Sequence, residues 1–324
     1  MPDILPFDKI AKDSAGEVGG KGLSLGLMTQ AKLPVPPGFC IGCDAYRRLN
    51  QRGLTSDIAL QQSIMEAYNG VGGGLVAVRS SATSEDGSAA SFAGQQETIL
   101  GVAGQEALLE AIQRCWSSLH SERALAYRRQ QGVTDDSLAM AVVVQRLVPA
   151  EVAGVLFTRD PLDLHGKRML VEASWGLGES VVSGRVTPDR YFVERDTGNV
   201  LERHISVKAT QWTANGAEPI AANMQTLPSL TDAQLSELAE LAHRVEAFYG
   251  DPRDIEWALA DGQFWLLQAR PITTDGATER EQVRLEEIAA LRGKAEPDGT
   301  VWSRYNLSEI LPEPTPMTWA IVRR

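Results

Sequence analysis

The sequence predicts an α+β fold, and three observations carry that prediction. Residues 140–147, 152–158 and 169–173 are short apolar runs bounded by turn residues, the pattern of buried strands. Residues 105–131 place Leu108, Leu109, Ile112, Trp116, Leu119 and Tyr127 at helical spacing, a stripe that reads as core. Residues 254–271 alternate in side-chain character about Ala260-Asp261-Gly262, as a hairpin does. At 324 residues the chain is long enough for one large domain or two lobes with substantial cores.

In chain order, Gly19-Gly20-Lys21-Gly22 precedes an apolar helical run. A glycine loop that opens a helix favours an anion, because free amides and the helix dipole point at it. Two familiar motifs fail here. Ala15 stands where a Walker A loop needs its first glycine and Gly22 where it needs a hydroxyl, while Leu25 breaks the dinucleotide fingerprint. Lys21 is thus a candidate phosphate ligand outside both motifs, the alternative being a flexible turn. Residues 33–38, LPVPPG, form a rigid extended turn; residues 44–50 and 56–68 are helical, and 75–79 form a strand.

Arg79 ends that strand, and residues 78–95 are dense in Ser, Ala and Gly. Small residues let a backbone approach a ligand and change shape, so this tract is a candidate lid over a polyphosphate or else a surface loop. Phe92 within it favours docking. A strand through Gln145, Arg146, Leu147 and Val148 could offer backbone groups to a purine edge. Residues 190–195 and 200–207 form a hairpin. Thr231 and Gln234 make a capping box for a helix that Gly250 stops.

The hairpin at 254–271 has two readings. A two-residue Asp-Gly loop pairs Ala260 with Gln263 and sends Glu256 and Gln268 to opposite faces. A three-residue loop pairs Leu259 with Gln263 and gathers Asp254, Glu256, Gln268 and Arg270 on one face, with Phe264 and Leu266 nearer the turn. The second is preferred because it collects the polar groups, leaving Ile255, Trp257, Leu259, Trp265 and Leu267 on the other face. Glu256 and Gln268 are then diagonal neighbours that could share a magnesium ion, and Arg270 lies one step along for a phosphate oxygen. The alternative is an ordinary solvated face.

A net charge of -11 disfavours a nucleic-acid partner. Cys40, Cys43 and Cys115 give no disulfide framework, and the lone CxxC lacks further zinc ligands, so a reducing cytoplasm is expected. No run of 18 apolar residues and no signal-peptide layout is present, so no membrane association is expected. Beyond residue 275 a charged connector helix (279–292) leads to what reads as the start of a following module.

Four segments together resemble the nucleotide-binding N-terminal module of phosphoenolpyruvate synthase, pyruvate phosphate dikinase and rifamycin phosphotransferase. They are Gly19 to Gly22; Val78-Arg79-Ser80-Ser81-Ala82-Thr83; Ser91-Phe92-Ala93-Gly94-Gln95; and Asp254-Ile255-Glu256-Trp257 with Gln268-Ala269-Arg270-Pro271. The resemblance implies an ATP-grasp fold over residues 1–275, with two lobes clamping ATP. By it, Lys21 and Arg79 hold phosphates, Glu256 and Gln268 carry Mg2+, and Arg270 steadies the phosphoryl group. Lys21, Arg79 and Arg270 are then the catalytic candidates. Ser80 and Thr83 belong to the lid, Gln145, Arg146, Leu147 and Val148 flank adenine, and Glu172 reaches the ribose.

Members of this family pass phosphate to a histidine on a swivelling domain. None of His120, His165, His204 and His243 sits in a Gly-rich Thr/Ser-His setting. The chain therefore reads as the ATP half, needing a phosphohistidine domain from a partner or from further sequence. The segment ILPEPTPMTW leans toward the antibiotic-phosphotransferase branch. An ATP-sensing module without transfer and an ATP-grasp ligase are the rival readings.

Overall fold

The computed structural model describes residues 2–49, 53–82, 97–119, 139–163 and 166–272. Strand β1 (Ile4–Pro6) is followed by helix α1 (Ala15–Gln30), β2 (Gly38–Ile41), α2 (Cys43–Leu49), α3 (Ile58–Gly70), β3 (Val76–Ala82), β4 (Thr98–Val102), α4 (Gln105–Ser118) and β5 (Met140–Arg146). These strands form one antiparallel sheet, ordered β1-β2-β5-β3-β4. Then come β6 (Val152–Phe157), β7 (Arg168–Trp175), α5 (Glu179–Val182), β8 (Asp189–Glu194), β9 (Val200–His204), β10 (Thr210–Thr213), β11 (Gly216–Pro219), α6 (Asp232–Tyr249), β12 (Arg253–Ala260) and β13 (Gln263–Pro271). Six of these strands make a second antiparallel sheet, ordered β13-β12-β6-β7-β8-β9, and β10 pairs with β11 as a ribbon. The expected α+β architecture is what the chain adopts.

Each sheet has one face committed to a core. Val76 and Val78 of β3 and Val142 and Val144 of β5 pack beneath α2, α3 and α4 against Tyr46, Ile64, Leu108, Ile112 and Trp116. Ile255, Trp257 and Leu259 of β12 lie with Val171 and Tyr191 beneath α6, whose Leu235, Leu238 and Val245 fill the same cluster. Val18, Leu25 and Met28 of α1 join that second cluster, as do Cys40 and Val143 from the first sheet, so α1 is packed between the two sheets.

Local signals act as expected at α6. Thr231 accepts a bond from the Gln234 amide, Gln234 accepts one from the Thr231 amide, and Gly250 closes the helix in the left-handed region. The proline-rich turn also has a use: Leu266 of the edge strand β13 donates to the Pro34 carbonyl at 2.8 Å, which covers part of that edge. Strands β1, β2, β4, β10 and β11 are only three to five residues long, too short for a periodic pattern, and sequence reasoning missed them.

Gly19 (φ 69°, ψ 176°) is a non-helical break between two helical segments that together make α1, so the glycine run opens the second segment, with a single-residue break in place of a longer loop. The first helical turns already begin at Ala15, and Lys21 sits just past the break.

Candidate functional site

The hairpin turn takes the reading that sequence reasoning set aside. Ala260 pairs with Gln263, and Asp261 (φ 51°) and Gly262 (φ 71°) are both left-handed, a two-residue type I′ turn. Phe264 and Leu266 therefore join Trp257 and Leu259 in the core, with Trp257 and Phe264 edge to face at 5.5 Å. Trp265 and Leu267 lie instead with Ala258 and Ala260. The polar residues are still gathered, by another device. Trp257 faces Leu266 but Glu256 faces Gln268, so Leu267 is the extra residue of a β-bulge. The bulge reverses the parity of β13, and Glu256 becomes the direct partner of Gln268 rather than a diagonal neighbour, with Asp254 opposite Arg270.

A cross-strand row then runs over this face of the second sheet: Gln268, Glu256, Val155, Glu172, Arg190. Facing it from the first sheet is the side of β3 and β5 that carries Arg79, Ser81, Val143 and Gln145. Arg79 bridges the two. Its Nη2 donates to Glu256 Oε2 at 2.6 Å and to Gln268 Oε1 at 3.3 Å, and its Nη1 donates to the Leu267 carbonyl at 2.9 Å. The bulge residue thus supplies the third acceptor for the guanidinium fork.

Electrostatics separate the two carboxylates of β12. Burial works against ionised Glu256, yet Arg79, and then Lys21 and Arg270, outweigh it and hold that carboxyl below the usual glutamate range. Burial raises Asp254 instead; Arg270 opposes this, and the Glu256 charge adds to it. Arg270 donates from Nε to Asp254 Oδ2 at 2.8 Å, which aims a half-exposed guanidinium along the face. Sequence reasoning had placed Asp254 on the face without a role. Its alternation with Glu256 was the available signal.

Lys21 is buried, near enough to Glu256 to act on its charge. Ser80 is buried on the opposite face from Arg79, where its hydroxyl accepts from the Glu97 amide at 2.9 Å. Gln145 is buried, and its Nε2 has no hydrogen-bond partner among the described residues. The amides of Arg146 and Leu147 donate to the Pro37 and Leu75 carbonyls, so those two donors are committed within the fold. Val148 is buried against Ala153 and Ala258. Glu172 accepts from Arg190 Nε at 2.7 Å. Thr83, most of the lid tract, His120 and His165 lie outside the described residues, as does everything past residue 272.

His204 is an exposed residue of β9 that pairs with Arg190 and so extends the same cross-strand row to the sheet edge farthest from β13, while His243 bonds the Arg195 carbonyl. The three thiols are buried and free; burial pushes Cys43 and Cys115 up to about 12 and raises Cys40 as well, so none is a poised nucleophile. Among the described residues no group of three or more His, Cys, Asp or Glu is placed to hold a metal, and no helix is long and apolar enough to cross a membrane.

The family model described as pyruvate phosphate dikinase, AMP/ATP-binding domain, matches residues 15–61 and 56–289. A probable phosphoenolpyruvate synthase of Methanothermobacter thermautotrophicus is 39% identical over 87% of the chain and 48% of its own length. A rifampicin phosphotransferase of Streptomyces sviceus is 40% identical over 84% of the chain and 36% of its own length. The chain therefore spans about half the length, or less, of these curated relatives. A solved D-alanine–D-alanine ligase of Bacillus anthracis complexed with ATP covers 77% of the chain and 54% of its own, at 10% identity and a TM-score of 0.32, a likeness too slight to carry an argument.

Proposed function

Because the chain belongs to the pyruvate phosphate dikinase AMP/ATP-binding domain family, we propose that it is the ATP-cleaving part of a phosphotransferase. In this reading residues 1–275 are an ATP-grasp unit that binds ATP between the two sheets and passes a phosphoryl group to a histidine on a swivelling domain. That domain carries the group to an acceptor such as pyruvate or an antibiotic hydroxyl. Residues 276–324 are the connector and the start of a following module, and the three buried thiols suit a reducing cytoplasm.

The observation that carries this reading is the meeting of Glu256 Oε2 and Gln268 Oε1 at one guanidinium nitrogen of Arg79. Two hard oxygens converging on one positive point fit a magnesium ion, which prefers a few protein oxygens and completes its shell with water and phosphate. Bound there, Mg2+ would neutralise charge on the polyphosphate. Arg79, relieved of Glu256, then has its fork available for a phosphate oxygen. Lys21 adds a second cation and Arg270, aimed by Asp254, a third. Phosphoryl transfer needs positioned positive charge more than covalent help, and this face supplies it. Gln145 Nε2, a buried donor without a partner among the described residues, suits a nucleotide acceptor atom, since burying it unpaired costs free energy that a ligand would recover.

The test mixes the chain with a candidate histidine domain and ATP labelled at the β or the γ position. An acid-labile, base-stable label on the histidine domain is expected, and the labelled position identifies the phosphate moved. Tight ATP binding with no label on a folded partner would establish a sensor instead. Glu256→Ala should abolish magnesium-dependent turnover with the fold retained; unchanged turnover removes Glu256 from the site.

A further inference from the structure

Ser81 has no role in the reading above, yet its hydroxyl sits where two of the cations are set. It is fully buried on the same face of β3 as Arg79, two residues on. Its Oγ donates to the Val18 carbonyl at 2.7 Å and accepts from the Gly22 amide at 3.2 Å. Gly22 and Val18 are the i and i−4 partners of an ordinary helical bond. The hydroxyl therefore caps both ends of the pair that spans the kink at Gly19, a recognised way to bend a helix. Contact is close: a Cβ on Gly19 would lie 2.3 Å from Ser81 Oγ and 2.5 Å from its carbonyl oxygen.

We propose that Ser81 is a positioning residue, which fixes Lys21 relative to Arg79 by locking the kinked turn of α1 onto β3. Lys21 lies inside the bridged turn, between Gly19 and Gly22. The direction in which its side chain leaves the helix is therefore set by the same two bonds. Arg79 is fixed by the strand that carries Ser81. One hydroxyl thus relates a helix-borne cation to a strand-borne one across 58 residues of sequence, without touching substrate itself. The inference rests on Lys21 and Arg79 being phosphate ligands.

A double-mutant cycle on ATP affinity tests it, using Ser81→Ala, Lys21→Ala and the double variant in the full chain, with thermal melts alongside. Ser81→Ala alone should weaken ATP binding about tenfold, the scale of one buried hydrogen bond. In the Lys21→Ala background the same change should weaken binding less than about twofold, because its effect passes through the lysine. Equal losses in both backgrounds mean a general structural role and overturn the proposal. So does wild-type affinity in Ser81→Ala while Lys21→Ala binds weakly, which leaves the site reading standing. An unaltered Lys21→Ala overturns both. If Ser81→Ala does not fold, Ser81→Cys, which keeps the volume but bonds weakly, takes its place in the cycle with the same outcomes.

Discussion

Arg79 of β3 and Glu256 of β12, 177 residues apart, meet at 2.6 Å and join the two sheets. The pair is largely out of water, with side chains 11% and 18% exposed. Such a pair ties the two sheets together, and in the proposed reading Mg·ATP would have to part it to engage either group.

That relation predicts a coupling that changes with nucleotide. In a stability cycle on Arg79→Ala and Glu256→Ala, measured by urea unfolding without ligand, the coupling should be about 1–3 kcal/mol. Removing either partner alone should cost about 3 kcal/mol or more, because the other charge is left buried. Saturating Mg·ATP should stabilise the wild type and leave all three variants nearly unmoved. A variant stabilised as much as the wild type would contradict the hand-over of Arg79.

Acid should dissolve the same contact. Glu256 has its carboxyl held below the ordinary value of 4.5, so its ionised form favours the folded chain. That stability is present in full above the unfolded value and is lost as pH falls through the lower folded value. The gap in urea midpoint between wild type and Glu256→Gln should be constant from about pH 7 down to the ordinary glutamate range and then close. A gap that persists unchanged through the acid range would show that the charge of Glu256 contributes nothing.

At the α1 kink, Gly19→Ala should be destabilising by roughly 2–3 kcal/mol, from the left-handed backbone and the clash with Ser81. Gly16, also in α1 and with open space around it, should accept alanine at no cost. Unfolding midpoints of the two variants decide the point, and equal midpoints would refute it.

Away from the site, Lys208 and Asp189 form a fully buried pair at 2.6 Å, and Asp189 also accepts from the amides of Ser206 and Ser229. Lys208→Ala should cost about 3–5 kcal/mol, because it strands the carboxylate rather than because the pair adds so much. Asp189→Asn with Lys208→Met, which removes both charges, should recover most of the loss. A double variant as unstable as Lys208→Ala would contradict this.

Sequence by itself determined what short-range physics controls. Thr231, Gln234 and Gly250 set the ends of α6, since capping bonds span only a few residues. The valines of β5 marked a buried strand, and the polar residues of β12 and β13 were recognisable as a group by alternation. The turn was misjudged because alternation was carried unbroken through Leu267, and a bulge adds one residue with no fixed mark in the sequence. Tertiary structure alone decided the rest. Placing Glu256 opposite Gln268 depends on the packing of Phe264 and Leu266 into the core, which shifts the register on which the polar face is built. Joining Arg79 to Glu256, and Ser81 to the two ends of a broken helical bond, depends on α1 being packed between two sheets. Those contacts connect distant parts of the chain, and their free energy exists only once both cores are closed.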